Sequence, residues 1–386
     1  MRVGTCWGSL PLLLALAACS SSRSDAPHDS SAAGAGGAGT GGAGALAAGA
    51  GGSSSAGVAG VGVVAGAAGA AVGGAPDYYQ GNCSPIPANA GALPHGMKLL
   101  ATDVQATGGL AVAGDNAYFG TADSLQRITS SGGSPKIMVS GAKPVALGID
   151  GNQLIWEDAS DSTKTEVLSV PLDALDFAAH GAAGDAIATV LASKSGAAGA
   201  FAIAGGFVYF TAANIVSRVP SAGGDAQELV SGLVPTGVAA SDTDLYVGDD
   251  DSESVAQASL PSGTVVAYKP ADATPTQLVV NGGSLYLGDW FGNVEVTPLA
   301  NFGSFQYFGT GCGGPFQGGC YPRHLASGGP GAVWESGDQR CSAVGTASPT
   351  GVVFFAKDIS GVQSLTADAT HLYANTIDGD LLRWDL

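Results

Sequence analysis

Positive charge is what this chain has least of: its 386 residues include 14 Lys and Arg against 32 Asp and Glu, for a formal net charge of −18 at pH 7. Nucleic acids and anionic lipid surfaces are held largely by clustered basic side chains, so a nucleic-acid binder is excluded. Charge of either sign is scarce, 12% of residues, about half of what soluble domains usually carry. Catalytic signatures are missing too. There is no GxSxG, HExxH or GxxxxGK, and no GxGxxG set between a strand and a helix pattern. The five histidines, His28, His95, His180, His324 and His371, are scattered singly, which argues against a multi-histidine metal centre or a histidine acid. Glycine, by contrast, is abundant, with 62 residues. Seventeen of them fall within residues 20–76 among Ala and Ser, and 43 lie from residue 77 onward.

The first residues read as an address. Arg2 supplies a positive charge, Leu10 to Leu16 is a short apolar run broken by Pro11, and Leu16-Ala17-Ala18-Cys19 follows at once. The run is too short to span a bilayer and fits a secretion signal over residues 1–18. Leu16-Ala17-Ala18-Cys19 resembles the lipobox of bacterial lipoproteins. The resemblance implies that Cys19 becomes the lipidated first residue of the mature chain and that the bilayer is a partner through its acyl groups. Two or more chains anchor stably where one does not. Ser20, in place of an Asp, resembles the signal that sends a lipoprotein on to an outer membrane. The expected location is the cell envelope, facing the periplasm or the exterior.

Residues 20–76 contain no aromatic side chain and only Arg23, Asp25 and Asp29 as charges, too little to offset the entropy of ordering. With the lipidated Cys19 they form an expected tether, residues 19–76. The stretch from Val58 to Val72 is too rich in Ala and Gly to make a second membrane span. As a Gly-rich coil the tether has an end-to-end distance of about 40 Å. A short segment, 77–96, precedes the body.

The body repeats. One ten-residue frame recurs without gaps at 110–119 (LAVAGDNAYF), 147–156 (LGIDGNQLIW), 201–210 (FAIAGGFVYF), 238–247 (VAASDTDLYV), 278–287 (LVVNGGSLYL), 325–334 (LASGGPGAVW) and 365–374 (LTADATHLYA). Each copy opens with a large apolar residue and alternates with a period of two, which predicts a strand. Asp, Asn and Gly at its centre suit a tight hairpin, and the ninth position is Tyr in five of the seven copies. Successive ninth positions lie 37, 54, 37, 40, 47 and 40 residues apart, a unit of about 40 with insertions near 173–184 and near Cys312 and Cys320. A third strand and a further hairpin follow each copy, as in Leu125 to Val139. Four strands per unit make a propeller blade.

The expectation is an all-β, seven-bladed propeller over 97–386. Its frame resembles the YWTD-like, NHL-like and related secreted β-propellers. Those propellers include lyases, lactonases and pure binding modules, so the resemblance implies architecture and not activity. The chain ends within a third strand, Leu381 to Trp384, and a strand-like run at Lys98 to Thr102 precedes the first copy. The N-terminus is therefore expected to donate the missing strand and leave no open edge.

With Cys6 in the signal and Cys19 lipidated, Cys83, Cys312, Cys320 and Cys341 remain, an even number in an exported chain. Three disulfide pairings are possible. Cys312 with Cys320 and Cys83 with Cys341 is the favoured one, and no CxxC spacing supports a metal site instead. Acids gather after the second strand: Asp123, Asp158, Asp161, Asp249-Asp250-Asp251, Glu253, Asp289, Glu335, Asp338, Asp378 and Asp380. Asp249, Asp250, Asp251 and Asp289, with Arg323 and His324 entering the sixth unit, form a candidate ligand rim. Calcium is the one conceivable cofactor there, at Asp249, Asp250 and Asp251, and a solvated acidic turn is the alternative. Two functions remain open. One is a tethered binding lipoprotein whose partner is a protein, glycan or small ligand; the other is a propeller hydrolase or lyase acting at the central pocket. A passive scaffold is a third.

Overall fold

The computed structural model describes residues 96–175, 187–271, 274–290, 293–309, 321–329, 331–337 and 341–386. The signal, Cys19, the tether, the 77–95 segment, Cys83, Cys312 and Cys320 lie outside the described residues. No helix among the described residues is long and apolar enough to cross a membrane.

Seven four-stranded antiparallel sheets follow one another along the chain. Their innermost strands are Ala106–Ala113, Pro144–Asp150, Ala198–Ala204, Pro235–Ala240, Pro275–Asn281, Tyr321–Gly328 and Val362–Ala367. Each meets the innermost strands of its two neighbours, and that of blade 7 meets that of blade 1, closing a ring. The fourth strand of blade 7 is Lys98–Ala101, paired with Leu381–Asp385. Both ends of the propeller are thereby held in one sheet.

The repeated frame maps onto the inner hairpin of every blade. Its first and tenth residues face each other across the ladder, as in Leu110 and Phe119, Leu147 and Trp156, or Leu278 and Leu287. The turn between them is held by residues with left-handed backbone, such as Gly151 at φ 56° and Gly282 at φ 57°. Adjacent strand residues point to opposite faces, so the ninth and tenth positions pack in opposite directions. The ninth packs with the tenth of the following blade: Tyr118 with Trp156, Ile155 with Phe210, Tyr209 with Val247, Tyr246 with Leu287, Tyr286 with Trp334, Val333 with Ala374 and Tyr373 with Phe119. These seven contacts are the seams of the ring. The five tyrosines at the ninth position are at most 2% exposed. Burial pushes the Tyr246 hydroxyl up to about 12 and raises that of Tyr373. Tyr373 stays a donor and gives its proton to Asp368 at 3.2 Å.

Candidate functional site

Two sets of connections share one end of the ring: those from second to third strand and those that enter each innermost strand. Backbone hydrogen bonds lock the two sets together. Ala159 N donates to Lys143 O, Asp250 N to Val234 O, Trp290 N to Thr274 O and Ile377 N to Gly361 O, each between 2.7 and 3.0 Å. Just inside this end, every inner hairpin slips register. Pro144 faces Asp158, but Ala146 faces Glu157; the same one-residue slip occurs at Pro235/Gly237, Pro275/Gln277, Pro322/His324, Val362/Ser364 and Ala198/Phe201, and a two-residue slip at Ala106/Leu110. One extra residue in a strand bends it and re-aims its side chains. The extra residues Val145, Thr236 and Gln363 line the channel mouth.

Asp249 ends the second strand of blade 4 and is 4% exposed. Its carboxylate accepts Val234 N at 2.8 Å and the Ser252 hydroxyl. Asp158 does the same in blade 2, accepting Lys143 N at 2.9 Å and Ser160 N at 2.9 Å. The carboxylate of the fully buried Asp289 takes Asn293 N and Asn293 Nδ2, both at 2.8 Å. Asp249 and Asp289 thus hold the loops in shape. Asp250 and Asp251 are exposed, so the three consecutive acids do not turn to one point. Among the described residues no group of three His, Cys, Asp or Glu side chains is placed to hold a metal ion. The Arg323 and Cys341 backbones lie in strands of blade 6, and their side chains are outside the described ones.

What this end does expose is mixed. Asp123, Asp250, Asp251, Glu253 and Asp378 are exposed, beside Trp290 at 54% and Ile377 at 53%. Trp290 and the Asp250-Asp251 turn belong to adjacent blades. Sequence reasoning found the acids and missed the apolar members. The residue that follows the recurrent Asp, Asp or Thr two places beyond the frame (Asp249, Asp289, Thr376) was the signal for them.

The seven innermost strands surround a central cavity of about 570 Å³. Each is the end strand of its sheet, so its free backbone edge faces the cavity. The lining mixes Gly and Ala with larger apolar residues such as Leu147, Phe201 and Leu278, and it includes the carboxamides of Gln277 and Gln363. Among the described residues no Asp, Glu, Lys or Arg lines it, and His324 is the one titratable residue of that lining. Directly across the ladder from His324 lies the buried Glu335, which receives the Ser342 hydroxyl.

Behind the lining, the seams between blades are of two kinds. Gly120 and Gly248 sit where the next blade presses in, and a Cβ on them would fall 2.5 Å from Pro144 O and 3.0 Å from Pro275 Cβ. The blade 2 position equivalent to Gly120 is Glu157, fully buried, with one carboxylate oxygen 3.4 Å from Gly199 N and the other without a partner. Burial raises its carboxyl to about 8.

No protein-family model matches the sequence, and no curated protein matches it. Solved structures do resemble it. The WD40 repeats of RRP9 align with 13% identity and a TM-score of 0.58 over 76% of this chain and 98% of that one. A chain of the mitotic checkpoint complex aligns with 11% identity and a TM-score of 0.55 over 76% and 95%. PorZ, described as an essential bacterial surface component of the type-IX secretion system of Porphyromonas gingivalis, aligns with 11% identity and a TM-score of 0.52 over 74% of this chain and 37% of that one. At such identities the likeness is one of fold: the chain is a seven-bladed propeller.

Proposed function

We propose that this protein is a lipid-anchored interaction module of the cell envelope that binds a protein through the loop end of its propeller. The exposed Trp290, on the blade adjacent to the exposed Asp250-Asp251 turn, with Trp290 N and Asp250 N each bonded to the strand-entry connection, is the observation that carries the reading. Aromatic anchors on a preorganised surface contribute most to interfaces. A rim of exposed acids selects a basic surface and speeds encounter. Glycans and small neutral ligands are the lesser candidates, for the central cavity. The hydrolase or lyase reading draws less support, because no carboxylate stands beside His324 in the cavity lining among the described residues and acid–base chemistry needs paired groups within reach of one substrate.

The anchor is proposed at Cys19, with the envelope location that the lipobox resemblance implies. Replacing Cys19 by Ser should move the protein out of the membrane fraction; retention would overturn the anchor. For the binding face, a photo-crosslinking residue placed at 290 or 377 should yield a protein adduct in cells. Raised salt should reduce its yield, as should Asp250→Asn with Asp251→Asn. No adduct from either position would overturn the reading.

A further inference from the structure

The opposite end of the ring carries a groove of about 500 Å³ between blades 1 and 2, lined by Ala113, Gly114, Asn116, Tyr118, Arg127, Asn152, Leu172 and Asp173. Its floor is set by the repeat. The third-strand residue opposite the ninth-position tyrosine is an arginine in blades 1, 3 and 7: Arg127 across from Tyr118, Arg218 from Tyr209 and Arg383 from Tyr373. Two of these cations are occupied. Arg218 bonds Gln227 at 2.9 and 3.2 Å and lies 4.5 Å over the Phe207 ring, and Arg383 donates to Ser130 O at 3.0 Å. Arg127 makes no hydrogen bond or ion pair among the described residues.

Its cross-strand neighbour is a second cation. Lys136 pairs directly with Arg127 in the register of blade 1 and is likewise without an ion pair among the described residues. Like charges opposite each other across a ladder are destabilising. In blade 7 the equivalent pair, Lys98 and Arg383, is offset by the carbonyls of Ser131 and Ser130. In blade 1 no such group is present among the described residues. In a chain of net charge −18, this local excess of positive charge is left to be met from outside.

We propose that this groove binds an acidic saccharide, with Arg127 holding its carboxylate. A guanidinium fork matches a planar carboxylate with two parallel hydrogen bonds. Asn116 and Asn152 add carboxamides, each both donor and acceptor, and Asp173 supplies an acceptor suited to a sugar hydroxyl. Leu172, Ala113 and Gly114 offer small apolar surface for a ring face. Asp173 at the same groove disfavours a multiply charged phosphate. The volume falls within the range usual for small-ligand sites. This site is independent of the protein-binding end, so either can fail alone.

The test is calorimetric titration of the full-length chain with trigalacturonate, alongside galactose and inorganic phosphate. Saturable binding of trigalacturonate that weakens with salt, and that Arg127→Gln reduces roughly tenfold or more, is the expected result. Arg218→Gln should leave it unchanged, and thermal unfolding should show both variants folded. No binding, binding unaffected by Arg127→Gln, or equal binding of galactose or phosphate would overturn the proposal.

Discussion

Gly120 shows how little room one seam leaves. A methyl group there would sit 2.5 Å from Pro144 O and 2.9 Å from Pro144 Cβ, and the backbone of the neighbouring blade has to yield. Gly120→Ala should destabilise the propeller by about 1–3 kcal/mol, read as a fall of several degrees in Tm. An unchanged Tm would mean the seam is looser than the geometry shows. Glu157 lies at the equivalent place in blade 2 and titrates abnormally, its carboxyl raised to about 8 from 4.5. The folded state therefore holds a proton that the unfolded chain releases above 4.5. Stability from this group is full below that pH and falls as pH rises towards 8, by on the order of a few kcal/mol. Glu157→Gln should remove that slope and raise Tm at pH 8 relative to the native chain. Denaturant unfolding at pH 5 and pH 8 decides it, and an undiminished slope in the variant would assign the effect elsewhere. Neither residue could be weighed from sequence alone. Gly120 reads as one glycine among many, and nothing near Glu157 in the chain marks it as buried against the next blade.

At the level of the strand, the inner hairpin was the legible element. Its apolar first position, its Asp, Asn or Gly turn and its ninth-position tyrosine all obey local rules, and each was found at its place in the ladder, as with Ala111 opposite Tyr118 and Val279 opposite Tyr286. The slip in register before the frame was not read, although Pro144, Pro235, Pro275 and Pro322 stand at one offset from four of the seven copies. Proline has no N–H to give a ladder, so its recurrence marked where regular pairing breaks. The strand Lys98–Ala101 carries the most weight for its length, because without it Leu381–Asp385 becomes an exposed sheet edge. Deleting 77–105 should lower Tm and promote aggregation, whereas deleting 25–70 should leave Tm unchanged. Equal effects from the two deletions would refute a boundary near residue 77.

For the whole molecule, charge and closure act together. The net charge of −18 is displayed partly as Asp250, Asp251 and Glu253 on one end of the ring, where repulsion is relieved by water. Asp249 has turned inward to Val234 and Ser252 while Asp250 and Asp251 face solvent, so the three carboxylates do not converge on one ion. Added calcium should therefore leave Tm unchanged. A rise in Tm that Asp250→Asn with Asp251→Asn abolishes would instead make the turn a cation site.

By itself the sequence determined the inner hairpins and the number of blades, because strand alternation and turn chemistry depend on neighbours along the chain. The tertiary structure decided which of the acids are exposed, which arginine has no hydrogen bond or ion pair among the described residues, and that among the described residues no Asp, Glu, Lys or Arg lines the cavity. Those outcomes depend on which residues of one blade meet the next. Asp249 and Asp250 are adjacent in sequence, yet one staples a loop and the other faces solvent. Arg127 and Arg383 hold the same place in the repeat, and they differ because Arg383 is offered a carbonyl by the turn of the following blade and a carboxylate by Asp385.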